Sequence, residues 1–260
     1  MSKNALIGIS SLARKIGKLY VGYGGLARKV KKGYIGINGL ARVFYAGDPV
    51  LIYENSAAGT YTQTLSAGTY EITLIGGGGG ASGRKCTTNT TYHYAQGGVG
   101  GTIQVTAKLT AAATITIVVG GGGATKTGSF SSASGGTVTG NPGVASTVTG
   151  FTNLTLSAGG GTGASTRATS TTGCTRTVGV IGTNTASGTA LLSTLINNPN
   201  PCTPSQTSST ASARTGVGRE NDNWPDNPNE GKSGDFGWRT GTGAMTAVNG
   251  QAGYVRIRKL

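Results

Sequence analysis

The sequence predicts an all-β protein, with N-terminal β-hairpin repeats followed by a glycine-rich β-sandwich of jelly-roll type carrying long polar loops. Three observations point there. Glycine supplies 48 of 260 residues, and charged residues only 12%, against roughly 7% and about 25% in an average domain. Glycine costs about 1 kcal/mol per helical position relative to alanine, and few windows of a dozen residues avoid it, so long helices are excluded. Several segments also alternate β-branched residues with period two, which separates them from a disordered polar chain.

The first element is a repeat of period 14 over residues 1–47. Its units are Leu6-Ile7-Gly8-Ile9-Ser10-Ser11-Leu12-Ala13-Arg14, Tyr20-Val21-Gly22-Tyr23-Gly24-Gly25-Leu26-Ala27-Arg28 and Tyr34-Ile35-Gly36-Ile37-Asn38-Gly39-Leu40-Ala41-Arg42. Asn38-Gly39 and Gly24-Gly25 suit a two-residue turn needing two positive φ angles, and Ser10-Ser11 is a weaker version, so each unit reads as one hairpin. Pairing across the turn sets Ile35, Ile37, Leu40 and Arg42 on one face and Tyr34, Gly36, Ala41 and Val43 on the other. Hairpins this small bury too little alone. The repeat, with Leu12, Leu26, Leu40, Arg14, Arg28 and Arg42 as its recurring residues, is therefore expected to be an assembly segment. Nine basic and no acidic residues precede Asp48, in a chain of net charge +14. That suits an acidic protein surface or nucleic acid, or is a solvated basic face.

From residue 48 onward a second domain is expected, with 162–250 as its long loop region. Strands are expected at Val50–Tyr53, at Tyr61–Leu65 and Tyr70–Ile75 about the turn Ser66-Ala67-Gly68, and at Thr102–Thr106, Thr114–Val119, Thr147–Leu156 and Tyr254–Arg258. Three of these segments empty into glycine runs at Gly76–Gly80, Gly120–Gly123 and Gly159–Gly161. Glycine reaches positive φ and lets backbones approach closely. Close packing between such runs, in extended polyproline-II-like form, is the expectation for them.

Chemistry-bearing residues are sparse. One histidine and three cysteines (Cys86, Cys174, Cys202) make no zinc constellation. Cys174 and Cys202 could bridge a loop after assembly, the alternative being reduced, incidental thiols. No nucleophile has a plausible base, so no enzyme and no cofactor are expected. Gly22-Tyr23-Gly24-Gly25-Leu26-Ala27 matches a dinucleotide fingerprint only formally, since it opens no helix. Tyr92, His93 and Tyr94 read as an exposed aromatic tip for sugar or protein, or as a loop packed on its own domain. Trp224 and Trp238 could likewise form a sugar platform or pin a loop. Asp222, Asp226 and Glu230 are weak calcium candidates whose spacing fits no EF-hand. No apolar run approaches a membrane span and no signal peptide is evident, so membrane insertion is not expected.

The pattern Gly36-Ile37-Asn38-Gly39-Leu40-Ala41-Arg42 after Lys31-Lys32-Gly33-Tyr34-Ile35 resembles repeats in minor structural and tail proteins of phages and prophages of Gram-positive bacteria. Residues 59–124 and 252–258 resemble the glycine-rich domain of phage tail fibres and bacterial surface proteins, laid out as two hairpins ending in glycines and a closing Ala-Gly-Tyr-Val-Arg-Ile strand. These resemblances imply a bacteriophage virion structural protein, a tail-fibre or tail-tip subunit for host-surface attachment. It would be assembled in the host cytoplasm and extracellular after lysis. Its partners would be other virion proteins, its own copies (a trimer favoured) and a host cell-surface glycan or protein. A nucleic-acid-binding accessory protein using the basic N-terminus, and a tail-associated glycan hydrolase, are the rival readings. Nucleic acid is the weaker partner because no aromatic platform lies between the charges.

Overall fold

The computed structural model describes residues 6–9, 12–15, 20–23, 26–29, 32–37, 40–46, 49–87, 92–132, 136–151, 154–171, 173–197, 207–208, 231, 235–238 and 245–260. Among them the chain is all-β, without a helix. It divides into two compact units, Met1–Ile52 with Arg258–Leu260, and Tyr53–Ile257.

The first unit holds the repeats. Strands β1 (Leu6–Ile9) and β2 (Leu12–Lys15), β3 (Tyr20–Tyr23) and β4 (Leu26–Lys29), and β5 (Lys32–Ile37) and β6 (Leu40–Ala46) form three separate antiparallel pairs. The closing partners are Ile9 with Leu12, Tyr23 with Leu26 and Ile37 with Leu40. Each pair thus spans a two-residue connection, the register that Gly-Gly or Asn-Gly dictates. Those connecting residues lie outside the described ones. Arg14, Arg28 and Arg42 take equivalent places, opposite Ile7, Val21 and Ile35.

The second unit is a chain that repeatedly leaves one set of strands, crosses a glycine run and enters another set. β7 (Val50–Asn55), β8 (Gly59–Leu65) and β9 (Gly68–Ile75) lead through residues 76–80 to β10 (Ser82–Cys86) and β11 (Tyr92–Ala95). Residues 97–101 lead back to β12 (Thr102–Leu109) and β13 (Ala113–Val119), and 120–124 out again to β14 (Lys126–Phe130) and β15 (Thr137–Thr139). Residues 140–144 return to β16 (Ser146–Thr149) and β17 (Leu154–Ala158), and 159–163 go out to β18 (Ser165–Ala168) and β19 (Cys174–Thr177). Residues 179–183 return to β20 (Asn184–Gly188) and β21 (Leu191–Asn197). The short β22 (Thr207–Ser208), the pair β23 (Asp235–Trp238) and β24 (Met245–Val248), a last run at 249–253 and β25 (Tyr254–Lys259) complete it.

Two five-stranded sheets, β21-β12-β9-β25-β7 and β20-β17-β16-β13-β8, form the sandwich. β9 meets β16 and β17 across it, and β12 meets β17 and β20. Period-two alternation decides what fills it. Ile72, Leu74, Ile103, Val105, Ile115, Ile117, Val148, Leu156 and Ile257 are buried, while intervening residues such as Thr114 and Thr155 face out. The expected hairpins are absent here. β8 pairs with β13 and β9 with β12, so consecutive strands lie in different sheets. Ser66-Ala67 makes the corner, where the Tyr70 hydroxyl donates to the Ser66 carbonyl at 2.7 Å. The single strand expected over 147–156 is two antiparallel strands, with Gly150 at φ 95° between them and Val148 opposite Leu156. Among its described residues the interval 162–250, expected as loop, contains seven strands, β18 to β24.

Candidate functional site

The glycine runs form one hydrogen-bonded layer. Gly76 and Gly79 donate to the carbonyls of Gly101 and Gly98 (2.9 and 2.7 Å), Gly77 and Gly80 to those of Val144 and Asn141 (2.9 and 2.8 Å), and Gly78 to that of Gln251 (2.9 Å). In return Gly161 and Ala164 donate to the carbonyls of Gly77 and Gly80 (2.9 and 3.0 Å), and Gly123 to that of Gly78 (2.7 Å). Residues three apart thus address the same neighbour. That is the repeat of a polyproline-II helix, which has three residues per turn and no internal hydrogen bonds. Such a segment must satisfy its backbone outside itself. Run 76–80 does so against five others, and further bonds such as Gly98 to Thr162, Gly101 to Gly159 and Gly253 to Gly120 (each 2.8 Å) join those to one another.

Close approach, and not conformational freedom, is why glycine is required here. Of the five glycines with positive φ among the described residues, only Gly231 belongs to the layer. A Cβ on Gly100 would stand 1.8 Å from the Gly76 carbonyl oxygen, and one on Gly77 would stand 2.1 Å from that of Gly121. At the rim the three-residue repeat shows in the sequence: Gly179 and Gly182 are buried while Val180 and Thr183 are exposed. Side chains seal both ends of the layer. Ser146 Oγ donates to the Ile75 carbonyl (2.6 Å) and accepts from the Gly120 N–H (3.0 Å), and Asn184 Nδ2 donates to the Thr102 carbonyl (3.1 Å). On the far side Thr125 Oγ1 donates to the Val248 carbonyl (2.7 Å), and the Thr125 N–H donates to Asn249 Oδ1 (2.9 Å).

Beyond the layer stands a small distal module of two sheets, β14-β10-β11-β22 and β15-β18-β19. β10 and β11 of the first pack on β18 of the second. Between them lie Cys86, Phe130 and Ala168, with Cys174 packed against the cluster. Cys86 Sγ donates to the Thr171 carbonyl, and burial pushes the Cys174 thiol above its ordinary pKa. Cys202 lies outside the described residues, so its pairing with Cys174 has no described geometry. Arg84 is 5% exposed, 5.5 Å from the centre of the Phe130 ring, and its Nε and Nη1 hydrogens have no hydrogen-bond partner among the described residues.

The sequence candidates fall as follows. His93 is buried in strand β11, its ring 6.0 Å from that of Phe130, and not on an exposed tip. The pairing of β10 with β11 puts it opposite Arg84, which turns the ring inward. Tyr94 is half-buried, and Tyr92 takes its place in the same strand opposite Lys85. Trp238 ends β23, opposite Met245. Trp224, Asp222, Asp226 and Glu230 lie outside the described residues. Among the described residues no three acidic, histidine or cysteine groups cluster as metal ligands, and no helix is long and apolar enough to cross a membrane. Sequence reasoning missed Arg167, although a signal was present. Residues 72–219 contain no acidic residue, against Arg84, Lys85, Lys108, Lys126, Arg167, Arg176, Arg214 and Arg219. No family model matches the chain, and no curated protein matches it in sequence.

Proposed function

We propose that this protein is a non-enzymatic structural subunit of a bacteriophage tail, a fibre or tip component that displays its distal module for attachment to the host surface. The observation that carries this reading is the glycine layer. It holds seven described crossings of the chain in a backbone lattice and gives the distal module a stiff base, which is what a displayed binding surface requires. The N-terminal hairpins, too small to bury their own faces, serve assembly with other virion proteins and with copies of the chain, a trimer being favoured. Localisation to the virion, with assembly in the host cytoplasm, follows from the same reading.

Gold-labelled antibody against the chain should decorate tail tips of intact particles, and the purified chain should compete with particles for adsorption to cells. Labelling of heads, or of no particle at all, would overturn the reading. Light scattering of the purified chain should give a trimer mass.

A further inference from the structure

We propose that the outer face of β15-β18-β19 is a binding surface for an anionic polyol or sugar polymer, one whose units carry hydroxyls together with phosphate or carboxylate. This deepens the attachment reading and rests on it. Register places Thr137, Arg167 and Thr175 side by side in one row across the three strands, and Thr139, Ser165 and Thr177 in the next. Cross-strand partners point to the same side of a sheet, and Thr137, Thr139, Arg167, Thr175 and Thr177 are exposed. The inward-facing residues between them, Thr166 and Ala168, are buried. The face forms a groove of about 400 Å³ in which Arg167 carries the charge and the lining is otherwise almost wholly hydroxyl-bearing.

Each half of that surface matches one half of the ligand. A hydroxyl both donates and accepts, as a polyol's own hydroxyls do. A guanidinium forks onto phosphate or carboxylate through two parallel N–H bonds. The surroundings favour an anion strongly. The described strands of the module carry Arg84, Lys85, Lys126, Arg167 and Arg176 and not one acidic residue. Arg84, on a strand packed against β18, adds a desolvated positive charge behind the face. In that low-dielectric setting its field reaches further than that of a solvated lysine. A nucleic acid is also anionic, but single strands are held by stacking bases on aromatic rings, and this face has none.

The test uses the full chain, with poly(glycerol phosphate), polygalacturonate, neutral dextran and an oligo(dT) of matched charge as probes. At least one of the first two should bind while dextran does not, and which of them binds identifies phosphate or carboxylate. Arg167→Gln should weaken that binding about tenfold, the worth of one charge-assisted contact. The paired change Thr137→Ala with Thr175→Ala should weaken it several-fold. Lys108→Gln, an exposed charge on the sandwich strand β12, should change it less than about twofold. Equal losses for Arg167→Gln and Lys108→Gln would overturn the site in favour of diffuse charge. Oligo(dT) binding as tightly, with the same dependence on Arg167, would overturn the glycan assignment. Particles that bear the label and adsorb normally with Arg167→Gln would sink this site while leaving the attachment reading standing.

Discussion

The sandwich and the glycine layer of the second unit solve the same problem with opposite materials. The sandwich encloses side chains: Ile72, Leu74, Ile103, Ile115, Ile117 and Leu156 are each 0% exposed, and their removal from water drives the packing. The layer encloses backbone almost alone, with Val99 as its buried apolar exception. Its glycines contribute no apolar side chain, and its interior is a set of N–H to carbonyl bonds of 2.7–3.1 Å between runs. A core of side chains fails when something is taken away. A core of backbone fails when something is added.

Substitutions can break or sharpen that contrast. The largest effect is expected at Gly100→Ala, where the new Cβ meets the Gly76 carbonyl at 1.8 Å and the obstacle is backbone, which cannot swing aside. A loss above about 4 kcal/mol, or failure to fold, is expected, read from denaturant unfolding of the soluble fraction. A near-neutral result would remove the close-packed layer. Ile117→Ala comes next, losing about 2–5 kcal/mol by leaving a cavity between the sheets. At Gly121 an added Cβ meets only the Ala58 side chain, at 3.7 Å. Gly121→Ala should therefore change stability by less than about 1 kcal/mol, and a large loss there would mean that close packing of the layer extends to Gly121.

The smallest effect concerns pH. Burial raises the Cys174 pKa, so the native thiol holds its proton where the unfolded one has lost it. Stability should therefore fall slightly as pH rises through the ordinary thiol range. Alkylation of Cys174 should also be slower than that of a small-molecule thiol at the same pH, because the thiolate is the nucleophile. Equal rates would contradict its burial.

Much of the sandwich was legible because its strands obey a local rule. Tyr70–Ile75, Thr114–Val119 and Tyr254–Arg258 all alternate, the first two running into glycine and the third following one, and each falls within a strand. Their partners were not legible. Nothing local distinguishes a hairpin at Ser66-Ala67-Gly68 from a corner between sheets, and the choice is made by burial of both flanking strands at once. The strands of 165–177 were missed because Thr, Ser and Arg carry little hydrophobic alternation, and their pairing is fixed by the glycine runs on either side. Those runs were themselves half visible. Gly76–Gly80 stands out as five glycines, while Gly179-Val180-Ile181-Gly182-Thr183 reads as ordinary loop until its period of three is noticed. Of the candidate site, the inward turn of His93 was one of two readings left open, and the choice between them depends on Phe130 from a distant strand. Arg167 was foreshadowed only by the absence of acidic residues around it.

The passage between two modules is ordinarily where proteases cut a chain, because it is exposed and offers side chains to grip. Here the described part of that passage is the glycine layer, whose amides are held by neighbouring runs. Trypsin and chymotrypsin recognise long basic or aromatic side chains, and run 76–80 presents none at any of its five positions. Run 76–80 is thus hidden from these enzymes twice over, once by its bonding and once by having nothing for them to read.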